Sequence, residues 1–520
     1  MGDRQRYLIA GLVAVASCGA IVISGRLDAA TALVGPLAAL IGAIGLIGTL
    51  GPARGGVVAL LLMATVNRYT AEIGGASIKP EHIAAPLVAL ALAPRLPKLL
   101  KKLRLVDFLL LAWLAWSVVG GLLNAPDPRD STELWAMLLV VAFAYFAIVT
   151  TVRTSGRLIF AVDVWMVIGI AAGLFGIASH LLYAWNVNLG IQINPVTADP
   201  TVPSTFRESN LFGSAMMILA LAGLGLLALD YRRRRLPGMA AVVGFVGLQI
   251  SFTRTAWAAF VFGILLLAMV LLVLSVRNAY RIPSDVFRPI GYVALAAVAV
   301  TALVWMPIGD PDTREQREAR FSENATREAR IWASATAGEA DLKATLPPLS
   351  AGTPTVHDVP TPSPENPDIV GRVGSITDTS DSSLRIRIDF ARQALRDWRD
   401  YPVVGGGIGS FGQKYTTTSL DRAWLSNTFV RTLHDSGIVG LMLFLSPILL
   451  LAVSGLRLTD RISGDLDRLA LSLGIAVAGM FVAFQATEGF QLAWYWIVLG
   501  LYAAAVRLAV ERRHRIGWSS

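Results

Sequence analysis

The sequence is short of charge and of cysteine. Of its 520 residues only 16% are charged, against about 25% in ordinary soluble domains. Hydrophobic residues make up 54%, and the mean hydropathy is +0.59. A chain so poor in charge cannot wrap its apolar surface in a solvated one. That excludes a soluble multidomain enzyme and makes length a poor guide to domain count. A single cysteine, Cys18, excludes an internal disulfide, so any outer loop keeps its shape by packing alone. The stretch VASC, ending at Cys18, loosely resembles a lipoprotein processing site after a basic start. A first transmembrane helix with a small-residue patch is the favoured account of it.

In place of charge there are apolar runs of bilayer length, about 20 residues. They centre near residues 15, 40, 62, 88, 114, 143, 172, 220, 245, 266, 298, 446, 477 and 499. The runs near 62 (GGVVALLLMATV) and 88 (HIAAPLVALALAP) are short, so the count is 12–14 with the parity unchanged. The expected fold is an all-α integral membrane protein with 12–14 transmembrane helices and one large extracytoplasmic loop that itself contains helices. Residues 1–307 hold about eleven spans, 308–425 form the loop, and 426–520 hold about three spans and a tail.

Basic residues are concentrated in alternate connections. RLPKLLKKLR (95–104), YRRRRLP (231–237) and ERRHR (511–515) fall on one side. The short loops on the other side carry only Arg26, Arg68, Lys79, Arg129, Arg207 and Arg254. By the positive-inside rule both termini are cytoplasmic. The same bias accounts for the net charge of +9 without nucleic acid.

The long hydrophilic loop lies outside by this parity. Its first part, from DTREQREARF, reads as charged helix, and its Pro/Ser/Thr-rich middle reads as irregular. Its last part reads as an amphipathic helix, with Ile386, Phe390, Ala394, Leu395 and Trp398 at three- to four-residue spacing and Pro402 as the stop. Next comes YPVVGGGIGSFG (401–412), which contains Gly407-x-Gly409-x-x-Gly412. That string fits a dinucleotide fingerprint, but the fingerprint needs a strand before it, a helix after it and an acidic residue about 20 positions on. A helix precedes this one, outside the cytoplasm. The glycines therefore read as a tight, bare-backbone turn that feeds the chain back or lets a neighbour approach closely.

The apolar spans are nearly clean of ionisable residues. Asp163 and His180 share one span without an obvious partner. The outer ends differ. Arg254 sits in the short turn ISFTRTAW, Arg207 and Glu208 sit where another span begins, and Arg385, Arg387 and Arg392 lie on the amphipathic helix. His434 and Asp435 stand where the chain re-enters the membrane. Arginine grips phosphate in a partly dry site because its planar fork bonds two oxygens and stays charged. Snorkelling toward lipid headgroups is the competing account of such residues.

Three stretches, in this order and on this topology, resemble the O-antigen ligase and O-antigen polymerase superfamily of bacterial membrane glycosyltransferases. STFRESNLFG (204–213) is similar to the family's span start, with Asn210 in its Asn place. SFTRTAW (251–257) is similar to its helix start, with Arg254 in its Arg place. RIDFARQALRDWRDYPVVGGGIGSF (387–411) is similar to its outer helix and glycine turn. One departure stands out. At re-entry the family shows a His–Asn pair followed by a Glu, and its His is thought to help activate the acceptor. Here the stretch is SNTFVRTLHDSG (426–437), with Ser426 in the His place, Asn427 in the Asn place and Asp435 in the Glu place. His434 is about 12 Å further along any helix that also held Ser426, so it does not fill that position.

The resemblance implies an enzyme of the bacterial inner membrane that moves a glycan from a polyprenyl diphosphate carrier to an acceptor hydroxyl on a glycan or glycolipid. It implies no cofactor and no nucleic acid. On this reading Arg254, Arg387 and Arg207 bind the diphosphate. Asp435, His434 and Asn427 carry the chemistry, and Asn210, Gly405, Gly407, Gly409 and Ser426 support it. No cluster of outer carboxylates has metal-ligand spacing, so the expected course is a metal-independent, inverting displacement. The alternative is a transporter or flippase of lipid-linked glycans, which would place ionisable groups and broken helices near the midplane. A sensor or scaffold that binds cell-wall material is a third reading, and it leaves Arg254 unexplained.

Overall fold

The computed structural model describes most of residues 3–305 and 382–515. Residues 306–381, shorter stretches at 25–33, 194–199, 278–286 and 416–422, scattered single positions and both chain ends lie outside the described residues. The charged helix and the Pro/Ser/Thr-rich segment expected within the large loop fall there.

The first half contains α1 (Asp3–Ser24), α2 (Val34–Thr65), α3 (Pro80–Leu92) with its short continuation α4 (Leu96–Leu100), α5 (Leu105–Asn124), α6 (Pro128–Thr151) and α7 (Ser155–Tyr183). Then come α8 (Ser209–Ala228), α9 (Arg235–Ile250), α10 (Arg254–Val276) and α11 (Phe287–Trp305). After the large loop follow α12 (Ser382–Asp397), α13 (Ser410–Lys414), α14 (Thr428–Leu456), α15 (Asp465–Ala483) and α16 (Ala493–Arg515). Among the described residues strand is confined to two small antiparallel ribbons, β1 (Ala71–Ile73) with β2 (Ala76–Ile78), and β3 (Gln192–Ile193) with β4 (Pro200–Thr201). Cys18 lies within α1.

Ten of the described helices are long and apolar enough to cross a membrane, and three shorter apolar helices accompany them. The molecule is an all-α, multi-pass membrane protein. Every apolar run read from the sequence falls inside a helix. The runs near 40 and 62 share α2, but α2 is a hairpin. Gly51 takes φ +80° ahead of Pro52. A straight helix would hold Gly55 about 13 Å from Leu46, whereas a methyl group at Gly55 would run into the Leu46 carbonyl.

α8 and α16 are buried along almost all of their apolar windows and form the centre of the bundle. Trp165, Trp494, Trp496, Tyr145 and Tyr495 are fully buried there. Small residues let backbones touch, the usual basis of helix association in lipid. A methyl group on Gly223 of α8 would meet the Pro237 carbonyl and the Ala241 amide of α9, and one on Gly244 would meet the backbone of Ala220.

The segments read as inner meet at one end of the bundle. Buried Arg507 donates to the carbonyls of Val149 (2.8 Å) and Val152 (2.6 Å), and Arg513 to those of Arg457 (3.0 Å) and Leu458 (2.8 Å). Arg104 pairs with Glu511 at 2.5 Å. Asp163 does have a partner, Arg233 of the YRRRRLP loop. The sequence hides it because the two stand 70 residues apart and only the packing of α7 joins them. The opposite end gathers the starts of α6, α8, α10 and α14, the ends of α5 and α15, and the loop elements α12 and α13.

Candidate active site at the broken helix

α14 starts where the chain re-enters the bundle. Its first turn is capped by Asn427, whose side-chain oxygen accepts from the amides of Phe429 and Val430, both at 3.0 Å. An amide or hydroxyl oxygen at this position satisfies donors that the helix cannot. The Thr428 amide donates to the Phe484 carbonyl at 2.9 Å, which ties the start of α14 to the end of α15. Ser426 precedes the helix. It therefore shares no helix face with His434, as the eight-residue spacing alone would have allowed.

Two and a half turns in, α14 breaks at Gly437, which takes φ +67° and ψ −171°. A break orphans backbone groups, and here three carbonyls and one amide find partners outside α14. The His434 carbonyl accepts from the Gly406 amide (2.8 Å), the Asp435 carbonyl from the Gly407 amide (2.9 Å) and the Ser436 carbonyl from the Trp116 indole (3.0 Å). The Ile438 amide donates outward to the Pro402 carbonyl at 2.9 Å. The glycine turn is thus the missing half of the broken helix. Gly405, Gly407 and Gly409 take φ of +75°, +95° and +77°. A methyl group on Gly405 would stand 2.5 Å from backbone atoms of Asp435, Ser436 and Gly437, and one on Gly407 would stand 2.5 Å from Gly121 Cα. Two amides that a phosphate cradle would need are already spent on α14, which disposes of the nucleotide reading. Asn124 of α5 donates to the Gly405 carbonyl (2.8 Å), and Ser131 of α6 to the Ile408 carbonyl (2.8 Å). The turn is therefore fixed to three elements.

The break fixes a charged cluster at the base of a cleft. Arg431 Nε pairs with Asp435 Oδ2 at 3.2 Å, one helical turn apart. Asp435 Oδ1 lies 2.9 Å from His434 Nδ1, and His434 is 2% exposed. Arg431 also stacks over Trp424, 5.6 Å from its ring centre. Asp435 and Arg431 line the cleft with Lys79, His82, Thr428 and Gln491, while Trp113, Leu134, Met137, Leu138, Phe444 and Phe490 make an apolar wall. Such a cleft offers polar groups on one side and hydrocarbon contact on the other.

Of the residues singled out in the sequence, Asp435, His434 and the turn of Gly405, Gly407 and Gly409 converge at the break, whereas Ser426 and Asn427 stand at the start of α14, about 15 Å along the helix. Asn427 acts there as a helix cap. The segments that carry Arg207, Asn210 and Arg254 meet elsewhere at the same end, where Thr253 donates to the Ser209 carbonyl (3.2 Å) and Gly213 of α8 lies against Ser251 and Thr253. Arg207 is exposed, and Arg254 and Asn210 are half-buried. Thr255, beside Arg254, lies 3.3 Å from Thr487, four residues from Gln491 of the cleft. Arg387 is half-buried on α12. None of these three arginines lines the cleft, where Lys79 and Arg431 are the Lys and Arg side chains among the described residues. Arg431 could have been found, because it stands four residues before Asp435. Lys79 carries no local signal.

α12 seats on a small apolar cluster apart from the main core, in which Ala394, Phe411, Ala423 and Leu425 are buried. The expected apolar stripe is only partly used. Phe390 and Ala394 face this cluster, whereas Ile386 and Leu395 are exposed.

Residues 239–445 match the family model described as O-antigen ligase. The matched segment runs from α9 into α14 and includes Arg254, Arg387, the glycine turn, Arg431, His434 and Asp435. No curated protein matches the chain.

Proposed function

The chain belongs to the O-antigen ligase and polymerase superfamily, a membrane glycan-transfer enzyme of that kind, and on this premise we propose that it uses the cleft at the α14 break to move a glycan from a polyprenyl diphosphate to an acceptor hydroxyl. The observation that carries the reading is a half-polar, half-apolar cleft with Asp435 at its base, held between His434 and Arg431.

Asp435 takes the proton of the acceptor hydroxyl as its oxygen bonds to the anomeric carbon. The bond from that carbon to the diphosphate breaks, and the lipid diphosphate leaves with the electron pair. One direct displacement inverts the anomeric centre. A diphosphate is already a good leaving group, so its main need is fixed positive charge in a water-poor site. Lys79 and Arg431 supply it from within the cleft, and no metal is required for this step. Arg254, Arg207 and Arg387 hold the donor headgroup on its way in from the outer leaflet. The apolar wall takes the first part of the lipid. The basic end of the bundle faces the cytoplasm, together with both termini, as the positive-inside rule dictates. That puts the cleft on the outer side of the bacterial inner membrane.

The test uses the full chain reconstituted in liposomes with an undecaprenyl diphosphate-linked oligosaccharide, purified from a strain that lacks this chain, plus an envelope extract as acceptor. Release of free undecaprenyl diphosphate with growth or transfer of the glycan is expected. Arg254→Ala should raise KM for the donor and lower turnover together. Transport of intact donor across the bilayer with no release would instead establish a flippase. In a deletion strain, loss of glycan-capped lipopolysaccharide with polymer still made identifies a ligase, and single-repeat products identify a polymerase.

A further inference from the structure

Behind Asp435 the cluster continues to a residue that no sequence pattern singles out. His434 is sandwiched between two carboxylates. Its Nδ1 faces Asp435, and its Nε2 lies 3.9 Å from Asp397 Oδ2, at the last residue of α12. That separation exceeds a hydrogen bond by about 1 Å. Asp397 Oδ2 is buried and makes no hydrogen bond to the described residues, a costly condition for a carboxylate oxygen. The other oxygen, Oδ1, is well held, accepting from Gln393 Nε2 (2.9 Å) and the Tyr415 hydroxyl (3.0 Å). Burial pushes the Tyr415 phenol up from its ordinary value, so it stays a donor. The orphan oxygen is therefore aimed at the imidazole by the very contacts that hold its twin.

We propose that Asp397 is a positioning residue that sets the tautomer of His434, and that seating of the outer helix α12 thereby switches Asp435 on. The idea rests on the reading of Asp435 as the base.

The two imidazole nitrogens are coupled: whichever carries the proton is decided by the bond the other makes. With Nε2 unbonded, a neutral His434 donates Nδ1–H to Asp435. That occupies an oxygen of the base and leaves the proton it collects with nowhere to go. If α12 moves inward by about 1 Å to hydrogen-bond distance, Nε2–H donates to Asp397. Nδ1 then presents its lone pair to Asp435 and accepts the proton taken from the acceptor hydroxyl. The imidazole becomes imidazolium between two carboxylates, and Arg431 balances the second negative charge. His434 touches nothing in the cleft, so this is its route of influence. The small apolar footing of α12 makes its seat easier to shift than a bundle helix.

The experiment is steady-state undecaprenyl diphosphate release by the reconstituted full chain, carried out on Asp397→Asn, Asp397→Glu and Asp435→Asn. Asn keeps the carbonyl that Tyr415 and Gln393 bond, yet turns a donor toward Nε2 and favours the wrong tautomer. Its kcat should fall roughly tenfold to 100-fold, below the ~10²–10⁴-fold of a general base. Donor KM should stay within about twofold and the unfolding temperature should not move. Glu, one methylene longer, spans the gap and should restore most of kcat. Wild-type kcat in Asp397→Asn, or no rescue by Glu with both variants folded, overturns the proposal. Asp435→Asn separates the two ideas. If it turns over normally, the reading of the cleft itself is wrong. If it is inactive while Asp397→Asn is fully active, only the tautomer switch is wrong.

Discussion

The two ends of the bundle satisfy exposed helix carbonyls with different groups. At the basic end, arginines close the gaps between helices by donating to free carbonyls, as Arg507 does to Val149 and Val152 and Arg513 does to Arg457 and Leu458. Those contacts lock helix ends together. At the other end, a helix is broken and backbone amides from a glycine turn repair it; buried polar atoms without a hydrogen bond to the described residues occur at both ends, Arg507 Nε at the first and Asp397 Oδ2 and Ser410 Oγ at the second. Side chains hold the first end, so its cost is spread over many flexible groups. Backbone amides and carbonyls meet one another at the second, with help from Trp116, Asn124 and Ser131, so its geometry is rigid. On the proposed reading, stability sits at one end and chemistry at the other.

The sharpest way to break that contrast is Asp435→Asn. Turnover should fall by ~10²–10⁴ with the unfolding temperature unchanged. A stability loss with little change in rate would make the cluster a structural ion pair like those at the basic end.

Next in size is Gly405→Ala, whose methyl would stand 2.5 Å from the backbone of the α14 break at a φ of +75°. Overpacking against backbone costs about 1–3 kcal/mol and the strained φ a similar amount. A clear drop in unfolding temperature with loss of turnover is expected. Gly406→Ala is its control, because a methyl there meets the movable Ser410 hydroxyl at 2.9 Å and should be far milder. Equal effects would mean that the turn is not held by close approach.

Arg507→Leu tests the other end. Two carbonyls lose their donor, a cost of about 1–3 kcal/mol, read as a lower unfolding temperature in detergent. Turnover per folded molecule should not change. A fall in kcat would mean that the ends communicate.

The smallest effect is expected from Asn427→Ala. As a helix cap, Asn427 contributes about 1 kcal/mol, and Asn427→Ser should recover most of it. A large loss of kcat that Ser does not rescue would restore the role that the family likeness implies for this position.

Much of the fold was legible because a bilayer imposes length and apolarity on each span directly. Even the weak runs near 62 and 88 became helices, the first by folding back at Gly51-Pro52. The cluster of Asp435, His434 and the glycine turn was legible as separate motifs. What joined them was not. The pairing of the Gly406 and Gly407 amides with the α14 carbonyls, the place of Lys79 in the cleft and the approach of Asp397 to His434 all link residues far apart in the chain. Backbone atoms and long-range packing leave no periodicity. Asp163 shows the same limit, as its partner Arg233 comes from another connection.

By itself, then, the sequence determined that the chain lives in a membrane, where its helices run and which connections are basic. Each of these follows from local transfer energies and residue type. Only the tertiary structure decided that the glycine turn completes a broken helix rather than cradling a phosphate, and that the cleft is lined by Lys79 and Arg431. A helix break costs too much to survive alone, and whether its orphaned carbonyls find partners depends on what packs against them.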